Sequence, residues 1–228
     1  MALILLIETS ASVCSVGLAL NGVLICIREE TIPNKHAEML SVFCDELLQE
    51  TGYSTTDIEA VAVSGGPGSY TGLRIGTSTA KGCCFALNIP LISISTLESM
   101  ARGMRDAAAE TDLLCPMIDA RRMEVYSSVF TKRLETVEAI APVVVDEHSY
   151  TDLLEKHIVW FSGDGMDKLR SVLAQHSNAR FTDSGKHSVR SMAESAEEKY
   201  QSKQFEDLAY YVPLYLKTFQ PGPKRSAT

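Results

Sequence analysis

The stretch from Ala2 to Glu30, ALILLIETSASVCSVGLALNGVLICIREE, decides the fold class. It begins with an unbroken aliphatic run, residues 2–7, which is typical of a central strand buried on both faces. Two further strand-like segments follow, separated by Asn21-Gly22, a pair that tolerates the positive φ angles of a type I′ turn. The stretch therefore predicts three consecutive strands, of which the last two form a hairpin.

Helix-like and strand-like segments alternate after this stretch. Residues 36–49 carry apolar side chains at helical spacing, and Gly52 follows as a helix terminator. The segment IEAVAVSGG predicts a strand, residues 71–87 a helix, and LISIST one more short strand. This alternation indicates an α/β fold.

A second set of strands begins with LLCPMIDARRMEVYSSVF, after a boundary near residue 110. Both halves start with an apolar strand, an acidic residue and a second strand, as a duplicated α/β unit would. We therefore predict one domain over residues 1–110 and a related one over 111–219. Residues 220–228, QPGPKRSAT from Gln220, are predicted to be a flexible tail.

The composition narrows the classes of function. The 228 residues include 21 basic and 29 acidic side chains, and a net charge of −8 disfavours tight nucleic-acid binding by this chain alone. Six cysteines occur without C-x-x-C spacing, which fits a reduced compartment. The apolar run at the amino end is too short for a signal peptide or a membrane span. We expect a cytoplasmic protein that does not associate with membranes.

The segment SGGPGSYTGLRIGTSTAKG, residues 64–82, is rich in glycine but matches no standard phosphate or nucleophile motif. The dinucleotide fingerprint fails because Thr71 stands at the sixth place, and no Gly-Lys-Ser/Thr occurs for a P-loop. A nucleophile elbow fails because Pro67 and Thr71, rather than glycines, flank Ser69. Two interpretations stay open for the loop before the helix: an anion site at the helix amino end, or a purely structural turn.

Within the predicted helix, small residues recur at intervals of four and share one face. Such a face permits close backbone approach, either within the domain or at a subunit interface, and the pattern favours neither. The four residues are Gly72, Gly76, Ala80 and Cys84.

Three motifs, IETSASVCSVGL, KHAEML and GPGSYTGLRIG, resemble the TsaB (YeaZ) family. Members are accessory subunits of the bacterial machinery that makes threonylcarbamoyladenosine in transfer RNA, and they are paralogues of the catalytic subunit TsaD. The resemblance extends through MIDARRMEVYSSVF, SGDG and VPLYLK, and so over most of the chain. It implies an actin-like ATPase fold (ASKHA, ribonuclease H-like), with two related α/β domains that have mixed sheets and face a cleft.

The resemblance also implies which residues would contact a nucleotide phosphate. The alternative interpretation is that the same residues form a polar strand end that binds no ligand. The residues concerned are Glu8, Thr9 and Ser10 after the first strand and Gly66, Gly68 and Ser69 in the glycine loop. No resident cofactor is predicted, although ATP or ADP at the junction of the complex is compatible with the resemblance. In the second half the resemblance sets Asp119 at the place of an acidic phosphate-site residue, but DARRME lacks the glycine that would let backbone amides approach a phosphate, and Arg121 and Arg122 could instead pair with carboxylates. Ser162 to Leu169 either lines an adenosine pocket or forms an ordinary capped turn.

The chain departs from the catalytic relatives at their metal site. TsaD-like subunits carry a His-x-x-x-His metal pair on the helix after the glycine segment, where this chain has Thr96 and Met100. None of its five histidines lies four residues from another. We therefore predict no metal site and no catalytic residue.

The resulting prediction is a non-catalytic subunit that binds and supports a TsaD-like enzyme in threonylcarbamoyl transfer to N6 of adenosine 37 of transfer RNA. A TsaE-like ATPase is a further expected partner, transfer RNA is expected only through the complex, and a homodimer is expected when the partner is missing. We expect Gly76→Leu to weaken assembly without unfolding the chain. The predicted partner surface pairs an apolar ridge on the 36–49 helix with a groove of small residues on the 71–87 helix. Its residues are His36, Met39, Leu40, Phe43, Leu47, Gly72, Gly76, Ala80 and Cys84.

Two other classes of function are weighed against this one. A nucleotide-binding kinase or ATPase of the same fold would use Glu8 and Asp119 as its carboxylates. A peptidase, a label attached to this family, would need a serine elbow, a Cys-His pair or a zinc helix, and the sequence spacing shows none of these.

Overall fold

The computed structural model describes residues 2–31 and 35–217 and contains two mixed five-stranded sheets. The predicted tail, 220–228, lies outside the described residues. In the first sheet the spatial order is β3-β2-β1-β4-β5. Its strands are β1 (Leu3–Glu8), β2 (Val13–Leu20), β3 (Val23–Thr31), β4 (Ala60–Ser64) and β5 (Leu91–Ile94).

The predicted three-strand beginning is confirmed. β1 pairs antiparallel with β2, and β2 with β3, while β1 and β4 run parallel. Asn21 and Gly22 have φ angles of 51° and 76°, as a type I′ turn requires. Every residue of β1 is buried, which explains why its sequence is aliphatic without alternation.

Two long helices cover one face of this sheet. They are α1 (His36–Thr51), which ends at Gly52 in the left-handed conformation, and α2 (Tyr70–Leu87). Their inner side chains form one core with Leu3, Leu5 and Ile7 of β1. A third helix, α3 (Thr96–Met104), follows β5 and packs mainly with the second half of the chain, against Leu114, Ile118 and Phe130.

The second sheet repeats the connectivity of the first, which confirms the predicted duplication. Its order is β10-β9-β6-β7-β8, so β6 occupies the place of β1, with one antiparallel and one parallel neighbour. Its strands are β6 (Leu113–Asp119), β7 (Glu124–Thr131), β8 (Thr136–Val144), β9 (Val159–Ser162) and β10 (Ala179–Phe181). The one-turn helices α4 (Thr151–Leu154) and α5 (Arg170–Leu173) pack beside this sheet.

The chain returns to the first sheet after β10. A 3-10 turn (Val189–Ser191) and helix α6 (Ala193–Gln201) cover the face of β1 opposite α1, where they pack on Ile4 and Leu6. We assigned this segment to the predicted second domain, 111–219, but it packs on the first sheet. The reason is that β1 has two apolar faces, and α1 and α2 cover only one of them.

No helix in the described ranges, 2–31 and 35–217, has the length and apolar character needed to cross a bilayer.

Candidate functional site

The predicted phosphate residues at the end of β1 are buried and bonded within the chain. One oxygen of the Glu8 carboxylate accepts hydrogen bonds from the Ser10 amide at 2.5 Å and from the Ser64 hydroxyl at 3.0 Å. The Thr9 hydroxyl donates to the Gly72 carbonyl at 2.8 Å. Glu8, Thr9 and Ser10 are each at most 1% exposed. These three residues connect β1 to β4 and α2.

A histidine joins this strand end to the second half of the chain. The Ser10 hydroxyl lies 3.1 Å from His187 Nδ1, and His187 Nε2 lies 3.6 Å from Asp164 Oδ1. The second distance is that of an ion pair and slightly too long for a hydrogen bond. Asp164 in turn accepts from the Asp119 amide at 3.0 Å, and Lys168 forms an ion pair with the Asp119 carboxylate. The two predicted carboxylates, Glu8 and Asp119, thus lie at opposite ends of one polar network.

The electrostatics of this network favour a charged pair. Burial alone would lower the pKa of His187, but the Asp164 carboxylate and the charge of Glu8 outweigh it and raise that pKa. For Asp164, burial would raise the pKa, and the interaction with His187 lowers it below its usual value. Both directions favour an imidazolium beside a carboxylate.

The backbone groups of the glycine loop, residues 65–69, are hydrogen-bonded and packed against other segments of the same chain. The Ser69 amide at the start of α2 donates to the Ser10 carbonyl at 2.6 Å, and a Cβ on Gly68 would lie 2.7 Å from Ser10 Cβ. On the other side the Leu214 amide donates to the Gly65 carbonyl at 2.8 Å, and a Cβ on Gly66 would lie 2.6 Å from the Leu214 carbonyl oxygen. An anion at this amide of the helix start would have to displace the Ser10 carbonyl.

The small face of α2 packs on the protein's own strand. A Cβ on Gly72 would overlap the Thr9 carbonyl oxygen, and one on Gly76 would overlap the Thr9 hydroxyl. Ala80 and Cys84 are buried in the core between α2 and the first sheet. The expectation that this face forms a groove for a partner helix is wrong, because β1 already fills it. Gly76→Leu would therefore disturb the fold, contrary to our expectation.

The apolar stripe of α1 is likewise turned inward. Leu40, Phe43 and Leu47 are at most 5% exposed, and they pack on the same sheet as α2. His36 is buried, with Nε2 3.2 Å from the Val13 carbonyl, and Met39 is half-buried. These residues cannot serve as an exposed ridge, because they cover the apolar face of β1 and β2.

Comparisons with known proteins agree with this architecture. A family model described as "TsaD: tRNA N6-adenosine threonylcarbamoyltransferase" matches residues 30–219. The chain belongs to this family, in its TsaB (YeaZ) branch. Over 151 residues it is 35% identical to the tRNA threonylcarbamoyladenosine biosynthesis protein TsaB of Escherichia coli (strain K12), covering 63% of this chain and 64% of that protein. The Bacillus subtilis (strain 168) TsaB is 30% identical over 139 residues, 61% of this chain and 59% of that protein.

The aligned regions therefore span less than two thirds of these two relatives. The solved structure of YeaZ from Pseudomonas aeruginosa covers 95% of this chain and 100% of its own, at 25% identity and a TM-score of 0.78. An activator of 2-hydroxyisocaproyl-CoA dehydratase from Clostridium difficile is 12% identical with a TM-score of 0.50, over 90% of this chain and 98% of its own, and shows likeness of fold alone. The predicted actin-like α/β fold class is confirmed.

The two positions that the resemblance sets against the metal pair of TsaD-like subunits lie in packed core. Thr96 and Met100 are each 1% exposed, and Met100 lies in one cluster with Leu97 and Leu114. A Cβ on Gly163 would come within 2.5 Å of the Met100 methyl. Among the described residues, no three His, Cys, Asp or Glu side chains are grouped as ligands for a metal ion.

The thiols are poor candidates for the nucleophile that a peptidase would need. Burial raises the pKa of Cys14 to about 11, of Cys44 to about 12 and of Cys84 to about 11. A thiol with such a pKa is protonated at neutral pH, and only the thiolate is a strong nucleophile.

Sequence reasoning missed His187 and the role of Asp164. Asp164 stands in the SGDG motif, which we interpreted as part of an adenosine pocket or a capped turn. His187 lies in SGKHSVR, a polar segment without periodicity, and its partner Ser10 is 177 residues away. No local pattern reports a contact over such a separation.

Proposed function

We propose that this protein is a non-catalytic subunit that binds a TsaD-like enzyme and supports threonylcarbamoyl transfer to N6 of adenosine 37 of transfer RNA. The relatives from Escherichia coli and Bacillus subtilis are named as tRNA threonylcarbamoyladenosine biosynthesis proteins, which supports a role for this chain in the same biosynthesis. The observation that carries the non-catalytic role is the packed core at Thr96 and Met100, where a catalytic relative would hold its metal pair.

The partner surface that we now favour is the outer side of α1 and α2. Phe85 on α2 is 82% exposed and Val42 on α1 is 45% exposed, although the inner stripes of both helices are buried. The Phe85 ring gains little burial in the lone chain, and aromatic side chains are enriched in the centres of protein interfaces. The same two side chains would favour a homodimer in the absence of the enzyme.

The first prediction tests this surface. Phe85→Glu should lower co-purification with the TsaD-like enzyme by at least about tenfold, because it places a charge in the centre of the interface. Val137→Glu is the matched control, since Val137 on β8 is also an exposed apolar residue, at 45%. Circular dichroism melts should show both variants folded.

The activity itself is measured as threonylcarbamoyladenosine formed in transfer RNA by the enzyme with and without this chain. We expect formation to depend on the chain, and the chain alone to form none. Full transfer by the enzyme alone, without co-purification of the two proteins, would contradict the proposal. A TsaE-like ATPase and transfer RNA would join through the complex, with ATP or ADP at its junction.

A further inference from the structure

Two groups of aromatic rings and cations, one on α2 and one on the second sheet, are linked by residues 215–217 of the chain, and we call them together the aromatic-cation strip. The linking residues belong to the carboxyl-terminal segment that follows α6. The strip consists of Arg74, Tyr70, Tyr215, Lys217, Tyr126 and Arg121.

The first end of the strip lies on α2. The ring centroids of Tyr70 and Tyr215 are 4.9 Å apart, and the Arg74 guanidinium carbon lies 5.4 Å from the centroid of Tyr70. Arg74 also donates to the Tyr70 hydroxyl at 3.3 Å. Tyr215 is 37% exposed, so part of its ring faces solvent beside the guanidinium.

The second end lies on β7 and on the turn between β6 and β7. Lys217 Nζ lies 5.9 Å from the centroid of Tyr126 and forms an ion pair with Glu124. In the turn, Arg121 and Arg122 are exposed and have φ angles of 73° and 55°. The Arg121 amide donates to Asp119 at 2.7 Å, which holds this turn beside Lys168.

The local charge is opposite to that of the whole chain. The chain has a net charge of −8, and three carboxylates lie along the strip: Asp119 and Glu124, each paired with a lysine, and Asp164, which accepts from the Asp119 amide. Five cations on or beside the strip outnumber these carboxylates: Arg74, Arg121 and Lys217 in the strip, and Arg122 and Lys168 beside it. A polyanion would therefore meet a local excess of positive charge here, despite the net charge of the chain.

We propose that the aromatic-cation strip binds an unpaired RNA segment; this rests on the proposed function, in which RNA is the substrate of the complex. The Tyr215 ring is 37% exposed and Tyr70 and Tyr126 are half-buried, so their open edges can contact unpaired bases while the neighbouring cations pair with the phosphates. The cations alone would also attract an acidic protein surface, but the tyrosine rings that contact Arg74 and Lys217 suit bases better. A duplex, whose bases are already stacked, would gain only the phosphate contacts.

The test uses the complex of this chain with the TsaD-like enzyme and a fluorescein-labelled RNA hairpin with a single-stranded loop. Tyr215→Ala and Lys217→Gln should each weaken binding of the hairpin about tenfold in fluorescence anisotropy. Lys217→Gln should also reduce the salt dependence of the affinity by about one released ion. A fully paired RNA of the same composition should respond to Lys217→Gln and not to Tyr215→Ala.

Matched controls come from side chains outside the strip. Tyr210→Ala removes a tyrosine that is 84% exposed, and Arg133→Gln removes a guanidinium whose side chain is 79% exposed. Both should leave the affinity for the hairpin unchanged.

The outcomes separate this inference from the proposed function. Lost RNA affinity with unchanged co-purification supports the inference. Lost co-purification with unchanged RNA affinity overturns it and makes the strip a protein-docking surface, and unchanged values of both also overturn it. If the wild-type chain forms no complex, the proposed function fails. The same variants of the isolated chain at low salt then decide the inference, since electrostatic binding strengthens there.

Discussion

Gly72 is one of the glycines that let α2 approach the end of β1 closely. The Gly72 carbonyl accepts from the Thr9 hydroxyl at 2.8 Å, and a Cβ on Gly72 would overlap the backbone carbonyl of Thr9. A backbone carbonyl cannot rotate away as a side chain can. Gly82, ten residues further along the same helix, has no atom from outside its own stretch of helix backbone within 4 Å of the place its Cβ would occupy.

These two glycines give a matched pair of substitutions. Gly72→Ala should lower the free energy of unfolding by about 2 kcal/mol or more, because the helix must move away from β1. Gly82→Ala should raise it by about 0.5–1 kcal/mol, since alanine is the better helix former and the space is open. Urea unfolding of both variants measures the difference. Equal effects of the two substitutions would show that glycine is not needed at position 72 for close packing of α2 on the end of β1.

At the scale of the element, the sequence was informative wherever the cause is local. The Asn21-Gly22 turn, the aliphatic β1 and the termination of α1 at Gly52 were all predicted from neighbouring residues. The four-residue spacing in α2 predicted a small face, but spacing within a helix does not say what the face meets. Its partner turned out to be Thr9, not another subunit.

The polar connection between the halves could not be predicted in this way. His187 meets Ser10 and Asp164 only after both sheets have formed, and each residue alone is unremarkable in its own segment. A buried histidine is recognised from the structure, through its burial and the carboxylates around it.

The His187 contact predicts a pH dependence of stability. The pKa of His187 is raised in the folded chain above its ordinary value of 6.5, through Asp164 and Glu8. Its contribution is therefore complete below about pH 6.5 and is lost as the pH rises through the raised pKa. Asp164 has a lowered pKa in the folded chain, so it stabilises the fold above its ordinary pKa of 3.8. This stabilisation is lost only when the pH falls through the lowered pKa.

The comparison is between wild type and His187→Gln. We expect the variant to be less stable by about 1–3 kcal/mol near pH 6, and the difference should shrink near pH 8.5. His148→Gln is the control, because His148 has an 83% exposed side chain and its loss should change stability little. Guanidinium unfolding at the two pH values measures this. A difference that grows with pH would contradict the assigned charge on His187.

At the scale of the whole molecule, segments that are far apart in sequence pack together, so the packing does not follow the order of the chain. The first sheet is built from residues 3–94, yet one of its faces is covered by Val189–Ser191 and α6, which come after the second sheet in sequence. The later segment also crosses the glycine loop, where the Leu214 amide donates to the Gly65 carbonyl. The duplicated strand pattern predicted two related units, but it gave no sign that the end of the chain completes the first one.

This crossing makes the first unit dependent on the end of the chain. A fragment of residues 1–110 would expose Ile4, Leu6 and Ile92, which are at most 1% exposed in the whole chain. Exposing an apolar face of this kind removes hydrophobic stabilisation at about 25 cal/mol per Å² and leaves a surface prone to association. We therefore expect this fragment to aggregate or to bind a hydrophobic dye without cooperative unfolding.

Residues 187–217 should restore a soluble and cooperatively unfolding unit when they are fused through a flexible linker to residues 1–95. This shorter fragment omits α3, whose apolar side chains pack on the second half of the chain, so the fusion returns the cover that β1 lacks. The control is the same fusion with Met192→Asp, which places a charge against Ile4 and Leu6 and should not restore it. Size-exclusion chromatography and thermal melts of the three proteins measure the outcome. If residues 1–110 alone were monomeric and unfolded cooperatively, the cover would be dispensable, and the unit would end where the strand pattern of the sequence places it.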